Sequence, residues 1–282
     1  MLFRSLGGTR GDGGTLVVCG DDPWSDSTQV PADSRYMAEH LRMPMLEPSN
    51  AQEVKDWVAL AFELCKAGQI YIGYSMTVTL ADGGGTVELK PNHHPQINAE
   101  QRRMLSYEKD IQPTVEQSVL LPPRSWRREL DMPRRHAAVV HEARKLGINR
   151  IINKPQKGEK LPMAFIASGP AFSYLQQALA EMNLLDRMPI LKLGLSYPVD
   201  EKLVCELAEQ CDQLFVIEER RGFVEKQVSQ IVTQYRQRTG NQTQVWGKQF
   251  PREMPGIPDT RGLHPSLLIQ RLVPLMRQHP TL

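Results

Sequence analysis

The chain has 282 residues, of which 40% are hydrophobic and 23% charged, with a formal net charge of +2; this suits a globular protein of one large or two medium domains. So small a net charge gives no electrostatic reason to expect nucleic acid or an anionic membrane as a partner. No apolar run reaches the roughly 20 residues of a membrane helix, and the start lacks a signal-peptide core, so the cytoplasm is the expected compartment.

The first region, residues 1–90, alternates between strand and helix patterns. Residues 15–22 (TLVVCGDD) predict a short buried strand that ends in two aspartates. Residues 51–68 have apolar side chains three and four apart, which predicts an amphipathic helix with Ser49 or Asn50 as its N-cap and Gly68 at its end. A β-branched and aromatic strand follows at 70–80 (IYIGYSMTVTL). Two strands are too few for a domain alone.

Residues 91–160 are rich in proline and predict a long connection that wraps over its neighbours. One helix is expected within it, at residues 134–147. Five arginines lie between Arg124 and Arg135, and such a run is typical of a solvated face.

Residues 161–282 alternate regularly between strands and helices. Strands at 163–169, 189–199 and 213–219 are each followed by a helical pattern, which predicts a mainly parallel sheet covered by helices, with right-handed crossovers. The strands are apolar almost throughout, as expected for burial on both faces. The last amphipathic segment contains Pro274, which predicts a kink or a break. The chain is therefore expected to be an α/β protein.

The four cysteines are Cys19, Cys65, Cys205 and Cys211. Their spacing matches neither a CxxC motif nor a ferredoxin run. The first three lie in apolar patterns, which predicts buried free thiols. An iron–sulfur cluster held by this chain alone is not expected.

Few motifs suggest chemistry, and each has a structural alternative. Ser168-Gly169 ends a strand before a helix, so it could bind a phosphate or form an ordinary turn. Glu218-Glu219 could do acid–base work or pair with Arg220 and Arg221; adjacent strand residues point to opposite faces and do not form a dyad. His93-His94 lies in a Pro-rich loop and is expected to face solvent. No catalytic residue and no metal ligand are assigned.

One combination of segments is far more specific than any single motif. Residues 20–64 and several later stretches resemble, in one order, the large subunit of indolepyruvate ferredoxin oxidoreductases. The matching elements are Asp21-Asp22-Pro23, Ser27-Thr28-Gln29, Asp33-Ser34-Arg35, Pro44 with Leu46 to Ser49, Gln52-Glu53, Ala61 to Leu64, Ile166 to Gly169, Leu193 to Val204, Phe215 to Glu219, and Val245 to Gly256.

The resemblance implies an activity and a domain order. That family, like other 2-oxoacid:ferredoxin oxidoreductases, decarboxylates an aryl 2-oxoacid on thiamine diphosphate, passes electrons through iron–sulfur clusters to ferredoxin and releases an acyl-CoA. By resemblance, residues 1–90 are the C-terminal part of a pyrimidine-binding domain, 91–160 a connection, and 161–282 a transketolase-C-terminal-like domain. Thiamine diphosphate and Mg²⁺ would be shared with missing domains, and CoA and the clusters would be held elsewhere in an oligomeric complex with partner subunits.

The sequence also departs from the family. The strand after Leu64 lacks the family's arginines, and Met1 to Ser5 match nothing in it. Gly11-Asp12-Gly13 precedes a strand, whereas the magnesium-binding GDG of thiamine enzymes follows one, so no magnesium site is expected there. The cofactor-activating glutamate would lie upstream and the true GDG motif downstream. The expectation is an incomplete piece or a split subunit.

Within this resemblance, the loop after the first strand lies near the cofactor cleft. Asp22, Ser27, Gln29 and Arg35 are the candidates to line that cleft or a subunit contact. The alternative is that Asp22 and Ser27 only hydrogen-bond the backbone of their own loop. For the whole chain, a non-catalytic assembly module is the main alternative to a part of the enzyme, and a nucleotide- or CoA-binding protein that uses Ser168-Gly169 is a third.

Overall fold

The computed structural model describes residues 6–9, 13–91, 119–156 and 158–279; Met1 to Ser5, Gly11-Asp12 and His93-His94 lie outside them. Two sheets are present in this part of the chain, with strand orders β1-β3-β2-β7 and β4-β6-β5-β8-β9. The strands are β1 (Leu16–Asp21), β2 (Met45–Leu46), β3 (Ile72–Thr77), β4 (Asn149–Ile152), β5 (Leu161–Ser168), β6 (Ile190–Leu193), β7 (Leu195–Tyr197), β8 (Cys211–Ile217) and β9 (Gln244–Trp246). The helices are α1 (Arg35–His40), α2 (Ala51–Gly68), α3 (Val78–Ala81), α4 (Arg124–Lys145), α5 (Gly169–Glu181), α6 (Glu201–Gln210), α7 (Phe223–Thr239) and α8 (Pro265–Met276).

The first sheet is built on parallel pairing of β1 and β2 with β3. Helix α2 crosses over it and begins as predicted, with the Asn50 side chain accepting a hydrogen bond from the backbone N–H of Glu53. It ends at Gly68, as predicted, and the C-cap is Gln69, whose φ is +51° and whose N–H donates to the Cys65 carbonyl. The predicted strand at 70–80 stops at Thr77, and its end forms the short helix α3.

The second sheet confirms the predicted α/β alternation. Strands β6, β5, β8 and β9 are parallel, and helices cover both faces. One apolar core packs α5 and α8 on one face, around Phe165 and Phe215, and the other packs α6 and α7 around Ile166 and Val216. Helix α8 continues through Pro274, so the predicted break is wrong. The helix ends two residues later, so the missing N–H affects only its last turn.

Two strands cross the predicted domain limits. The expected single strand at 189–199 divides at Gly194: β6 stays in the second sheet, and β7 pairs antiparallel with β2 of the first. A side chain at Gly194 would clash with Trp57, so only glycine fits at this crossing. From the predicted connection, β4 joins β6 antiparallel. The division at residues 90 and 160 stays a prediction about domains.

The prediction that the arginine-rich run forms a solvated face is wrong for Arg135. Helix α4 begins at Arg124, ten residues before the predicted start, and Arg135 on it is almost fully buried. Its guanidinium donates to the backbone carbonyls of Gly68, Gln69 and Leu6. Carbonyls at a helix end have no partners within the helix, so a buried cation satisfies the end of α2.

The remaining expectations concern thiols and membranes. All four cysteines are free; Cys65 and Cys211 are buried, while Cys19 and Cys205 are only half-buried. Within the described ranges, no helix combines the length and the apolar character needed to cross a bilayer.

Candidate functional site

A polar cleft lies between the two sheets, where the carboxyl ends of their parallel strands meet. Asp21 ends β1, Thr77 ends β3 directly opposite it, and Ser168 ends β5. Glu47 follows β2, and Glu219 lies just beyond β8. These five residues and Arg35 line a cavity of about 30 Å³. This volume holds about two water molecules. Open α/β sheets place their ligands at this edge, so the cleft is the candidate site.

Arg35 is the central residue of the cleft. The Nε atom donates to Asp33 over 2.8 Å, and one terminal nitrogen donates to Glu218 over 2.9 Å. The other terminal nitrogen donates to Asp33 over 3.0 Å and to the Glu219 carbonyl over 2.8 Å. Glu47 lies 4.0 Å from Nε. Burial alone would lower the pKa of Arg35, but the carboxylates of Glu47, Glu218 and Asp33 raise it well above its usual value. Arg35 therefore joins the loop after β1 to the end of β8.

The loop from Asp22 to Thr28 is held by its own aspartate. The Asp22 carboxylate accepts hydrogen bonds from the backbone N–H groups of Asp26, Ser27 and Thr28 over 2.8 to 3.0 Å. Burial works to raise the pKa of Asp22, but these hydrogen bonds lower it well below its usual range. Ser27 Oγ also donates to Asp22. The geometry thus favours the alternative in which Asp22 and Ser27 stabilise their own loop.

Of the four predicted cofactor residues, only Arg35 lines the cleft. Gln29 is exposed on the outside of the loop. Asp21, adjacent to the predicted Asp22, accepts from the backbone N–H and hydroxyl of Ser34, and burial raises its pKa. The role of Asp22, Ser27, Gln29 and Arg35 toward a cofactor stays a prediction.

Glu218 and Glu219 have different environments, although β8 ends at Ile217 and neither is a strand residue as predicted. Glu218 accepts from Arg35 and from the backbone N–H groups of Val224 and Glu225 at the start of α7. Its cation is thus Arg35, and the suggested pairing with Arg220 and Arg221 is wrong. Among the described residues, the Glu219 carboxylate accepts only from the backbone N–H of Leu263, over 2.8 Å, and burial raises its pKa to about 7.

Within the described residues, three oxygen atoms on the cleft wall have no hydrogen-bond partner: Glu47 Oε1, Thr77 Oγ1 and Ser168 Oγ. Burial raises the pKa of Glu47, and Arg35 opposes this. Glu47 was missed as a site residue, although it belongs to the quoted Leu46-Glu47-Pro48-Ser49 segment. A glutamate between apolar residues and a proline was the available signal, since such positions are rarely charged unless paired.

The Ser168-Gly169 turn does not offer a phosphate site. Gly169 has a φ of +53°, and the position of an added Cβ would be 2.9 Å from Glu47 Oε2. A carboxylate therefore lies at the start of α5, where a phosphate would have to bind, and it would repel that anion. The geometry argues against the nucleotide- or CoA-binding alternative at this turn.

A second buried cation lies at the start of α2. Lys192, on β6, donates to Ser49 Oγ over 2.9 Å and to Glu53. Its ammonium also lies 4.3 Å from the ring centre of Phe172 and 5.3 Å from that of Trp57. Burial lowers the pKa of Lys192 to about 8, and Glu53 opposes this. Lys192 thus joins the two sheets at a second point.

The cleft does not fit thiamine diphosphate. Sites for ligands of this size have volumes of roughly 300 to 1,000 Å³, whereas the cleft offers about 30 Å³. Its walls carry Asp21, Asp33, Glu47 and Glu219, and a diphosphate would be repelled by them. Among the described residues, no group of three His, Cys, Asp or Glu side chains is placed to hold a metal ion. The described residues alone therefore do not form a site for the cofactor.

A larger open groove of about 920 Å³ lies between α4, α6 and α7. Three of the charged side chains on its walls are already paired, Arg144 with Asp200 over 2.5 Å and Arg238 with Glu201 over 2.7 Å. None of the four predicted residues lines it.

Comparison with known proteins agrees with the sequence resemblance. Residues 153–278 match the family model described as the indolepyruvate oxidoreductase domain. Indolepyruvate oxidoreductase subunit IorA of Methanothermobacter marburgensis is 32% identical over 233 residues, which cover 82% of this chain and 35% of the relative. IorA of Archaeoglobus fulgidus is 26% identical over 261 residues, covering 90% of this chain and 38% of the relative.

The fold has a solved counterpart. A 2-oxoglutarate:ferredoxin oxidoreductase from Magnetococcus marinus, with 2-oxoglutarate, coenzyme A and succinyl-CoA bound, matches with a TM-score of 0.53 at 10% identity, over 93% of this chain and 49% of that chain. This likeness shows the fold alone. The chain spans little more than a third of the length of its IorA relatives. By sequence over most of its length, the chain belongs to the family of the indolepyruvate oxidoreductase subunit IorA.

Proposed function

We propose that this chain is one part of a thiamine-diphosphate-dependent 2-oxoacid:ferredoxin oxidoreductase of the indolepyruvate type, and that it is inactive alone. The complete complex would decarboxylate an aryl 2-oxoacid oxidatively to its acyl-CoA and transfer the electrons to ferredoxin. Membership of the IorA family supports this reaction class. Thiamine diphosphate with Mg²⁺, the iron–sulfur clusters and CoA would be bound with or by other segments or subunits, in the cytoplasm.

One observation carries the proposal for this chain's own role. Arg35 makes charge-assisted hydrogen bonds to Asp33 in the β1 loop and to Glu218 beyond β8. These bonds hold the carboxyl ends of both sheets in one orientation, because a guanidinium is a rigid planar donor. The chain would thereby give other segments a fixed sheet edge against which a cofactor site is completed.

The assembly-module alternative has a specific observation in its favour. The strongest charges of the cleft are satisfied within the chain: Arg35 by Asp33 and Glu218, and Asp22 by its own loop. Groups bonded in this way are not available to a substrate. In this alternative the chain would bind partner subunits and leave the chemistry entirely to them.

The first test is thiamine diphosphate binding to the purified chain by calorimetry in the presence of Mg²⁺. We expect no binding heat, because the cleft is too small and too acidic for the cofactor. The same sample should show no iron–sulfur absorbance and no dye reduction that depends on a 2-oxoacid. Tight binding would contradict the proposal, since the chain would then form a complete site.

A chimera separates the two alternatives. In M. marburgensis IorA, the matched region would be replaced by the aligned residues of this chain, and the protein assayed for indolepyruvate-dependent viologen reduction with its partner subunit. If this chain is a part of the enzyme, the chimera should show measurable turnover. A complex that assembles at normal stoichiometry without turnover would favour the assembly module.

A further inference from the structure

The three oxygen atoms without a partner in the cleft face one small cavity. Glu47, Thr77 and Ser168, which carry them, are 7%, 8% and 2% exposed. All three residues line the cavity of about 30 Å³ between the two sheets. Buried oxygens in native proteins are almost always bonded. The lining therefore favours an occupant that binds to oxygen atoms.

This cavity is enclosed by side chains of the chain itself. Asp21, Arg35, Ser75 and Glu219 complete its lining, and all four are buried. They come from the carboxyl ends of strands in both sheets and from the loops that follow them. The three free oxygens are thus already shielded from solvent by residues that the structure describes. The identity of the occupant depends on this lining and not on a surface that another segment could cover.

The lining carries an excess of negative charge. Four carboxylates and two guanidinium groups surround the cavity: Asp21, Asp33, Glu47, Glu219, Arg35 and Arg220. Arg35 is already bonded to Asp33 and Glu218, and its Nε atom lies 4.0 Å from Glu47 Oε1, beyond hydrogen-bond distance. Burial raises the pKa of Asp21, Glu47 and Glu219, as expected for carboxylates that are short of cations. The occupant that these charges favour is a cation.

The size of the cavity and the type of free oxygen select the kind of cation. The cavity has room for about two water-sized groups. Magnesium ions keep several of their own water molecules, and calcium ions take many oxygen ligands, several of them carboxylates. The free oxygens here belong to one carboxylate and two hydroxyl groups. Potassium and ammonium ions are close to a water molecule in size, and protein oxygens can replace the hydration shell of potassium.

We propose that the cleft binds a water-sized monovalent cation, potassium or ammonium, between Glu47 Oε1, Thr77 Oγ1 and Ser168 Oγ. The carboxylate would supply the charge and the two hydroxyl groups would supply neutral lone pairs. The remaining volume would hold one water molecule. This water would accept a hydrogen bond from Arg220 Nε, which also has no partner in the described ranges, and direct its second lone pair at the cation.

Such an ion would connect three strands at the junction of the sheets. Glu47 follows β2, Thr77 ends β3 and Ser168 ends β5, so the first two ligands come from one sheet and the third from the other. The ion would add a third link to those made by Arg35 and Lys192. The inference goes beyond the oxidoreductase proposal and does not depend on it, because its tests need no catalysis.

Thermal denaturation of the purified chain in different chloride salts tests the site. At constant ionic strength and pH, potassium or ammonium should raise the melting temperature above that in choline. The rise should saturate, reaching about 2 to 3 °C at ten times the dissociation constant. Lithium, which is too small to contact all three oxygens at once, should give a smaller rise. Equal melting temperatures in potassium, ammonium and choline would overturn the proposal, and so would a larger rise with magnesium or calcium.

Two variants each remove one ligand of the proposed ion. In choline, Thr77→Val and Ser168→Ala should be at least as stable as the wild type, because neither hydroxyl has a partner in the described part of the chain. Each should weaken potassium binding by about 10-fold or more. Ser173→Ala is the control, since its hydroxyl donates to the Ser49 carbonyl over 2.7 Å; it should lower stability and keep the response to potassium. An unchanged response in both ligand variants would place the ion elsewhere and contradict the proposal.

Rubidium gives the position of the ion directly. It resembles potassium in size and coordination, and it scatters X-rays anomalously. Crystals of the chain grown in rubidium chloride should show an anomalous peak in contact with the Glu47 carboxylate, and crystals of Ser168→Ala should show a weaker peak or none. If no peak lies in the cleft at a rubidium concentration that saturates the thermal response, the proposed site is wrong.

Discussion

Two buried cations join the two sheets, and their surroundings are opposite in chemistry. Arg35 is bonded to Asp33 and Glu218 and lies near Glu47. Lys192 has one carboxylate, one hydroxyl and two aromatic rings around its ammonium. The pKa of Arg35 is raised well above its usual value by its carboxylates, whereas burial lowers that of Lys192 to about 8.

The difference follows from the two cation types. A guanidinium is planar, remains charged at all accessible pH values and can bond several oxygens at once. An ammonium is strongly hydrated and loses its proton more easily when it is buried with few partners. Arg35 therefore stays charged at any accessible pH, while Lys192 can lose its proton within that range. The predictions below test this contrast.

The largest effect is expected at Arg35. Replacing it by methionine leaves Asp33, Glu47 and Glu218 buried without their cation, and such a loss costs about 3 to 5 kcal/mol in the free energy of unfolding. Urea denaturation followed by circular dichroism measures this. Arg238→Met is the control, because its pair with Glu201 is exposed and should cost less than about 1 kcal/mol. Equal losses for the two variants would show that Arg35 is not a central link.

Lys192→Met should alter the pH dependence of stability. An unfolded lysine has a pKa near 10.5, and folded Lys192 titrates at about 8. Between these values the unfolded chain retains a proton that the folded chain has lost, so wild-type stability rises with pH. The gain relative to Lys192→Met is about 3 kcal/mol from pH 8 to 10.5. Lys226→Met, at an exposed lysine, is the control. If the curves of stability against pH are parallel for wild type and Lys192→Met, the predicted titration of Lys192 is wrong.

Glu219 is expected to act in the opposite direction and at lower pH. Its pKa of about 7 in the folded chain exceeds the usual 4.5, so the folded chain holds a proton that the unfolded chain releases between these values. Wild-type stability should therefore fall as pH rises from 4.5 to 7, by about 2 kcal/mol relative to Glu219→Gln. This is less than the difference in pKa alone would give, because nearby Glu47 shares the titration. Denaturation across this range measures the effect. Glu63→Gln, at an exposed glutamate, should keep the wild-type slope; an unchanged slope in Glu219→Gln would contradict this.

Most secondary structure could be predicted because it depends on local pattern. The helix at 51–68 and the strands β5 and β8 follow from side-chain periodicity and caps. The division of residues 189–199 at Gly194 could not be predicted, since both halves are equally apolar. What separates them is the contact of Gly194 with Trp57, more than one hundred residues away in the sequence.

The site was less accessible from sequence, for the same reason. Arg35 was found through its resemblance to a family segment, but its partner Glu218 is 183 residues away, and no spacing rule connects them. Asp22 was placed in the right loop, yet its carboxylate is used by the backbone four to six residues further on. Burial of Arg135 was missed because a run of arginines resembles a solvated surface until the end of α2 is placed beside it.

The smallest effect compares two buried serines, one at each link. Ser168 Oγ, in the cleft, has no hydrogen-bond partner in the part of the chain that the structure describes. Ser49 Oγ donates to Glu53 over 2.7 Å and accepts from Lys192 over 2.9 Å. Removing an unpartnered buried hydroxyl relieves a desolvation cost, so Ser168→Ala should stabilise the chain by up to about 1 kcal/mol. Ser49→Ala should destabilise it by about 1 to 2 kcal/mol, since it leaves charged groups short of a hydrogen bond. Thermal and urea denaturation measure both. A loss of stability in Ser168→Ala would mean that its hydroxyl binds an ordered water or another group in the cleft, so that the cleft, like the Lys192 link, would be a fully bonded network.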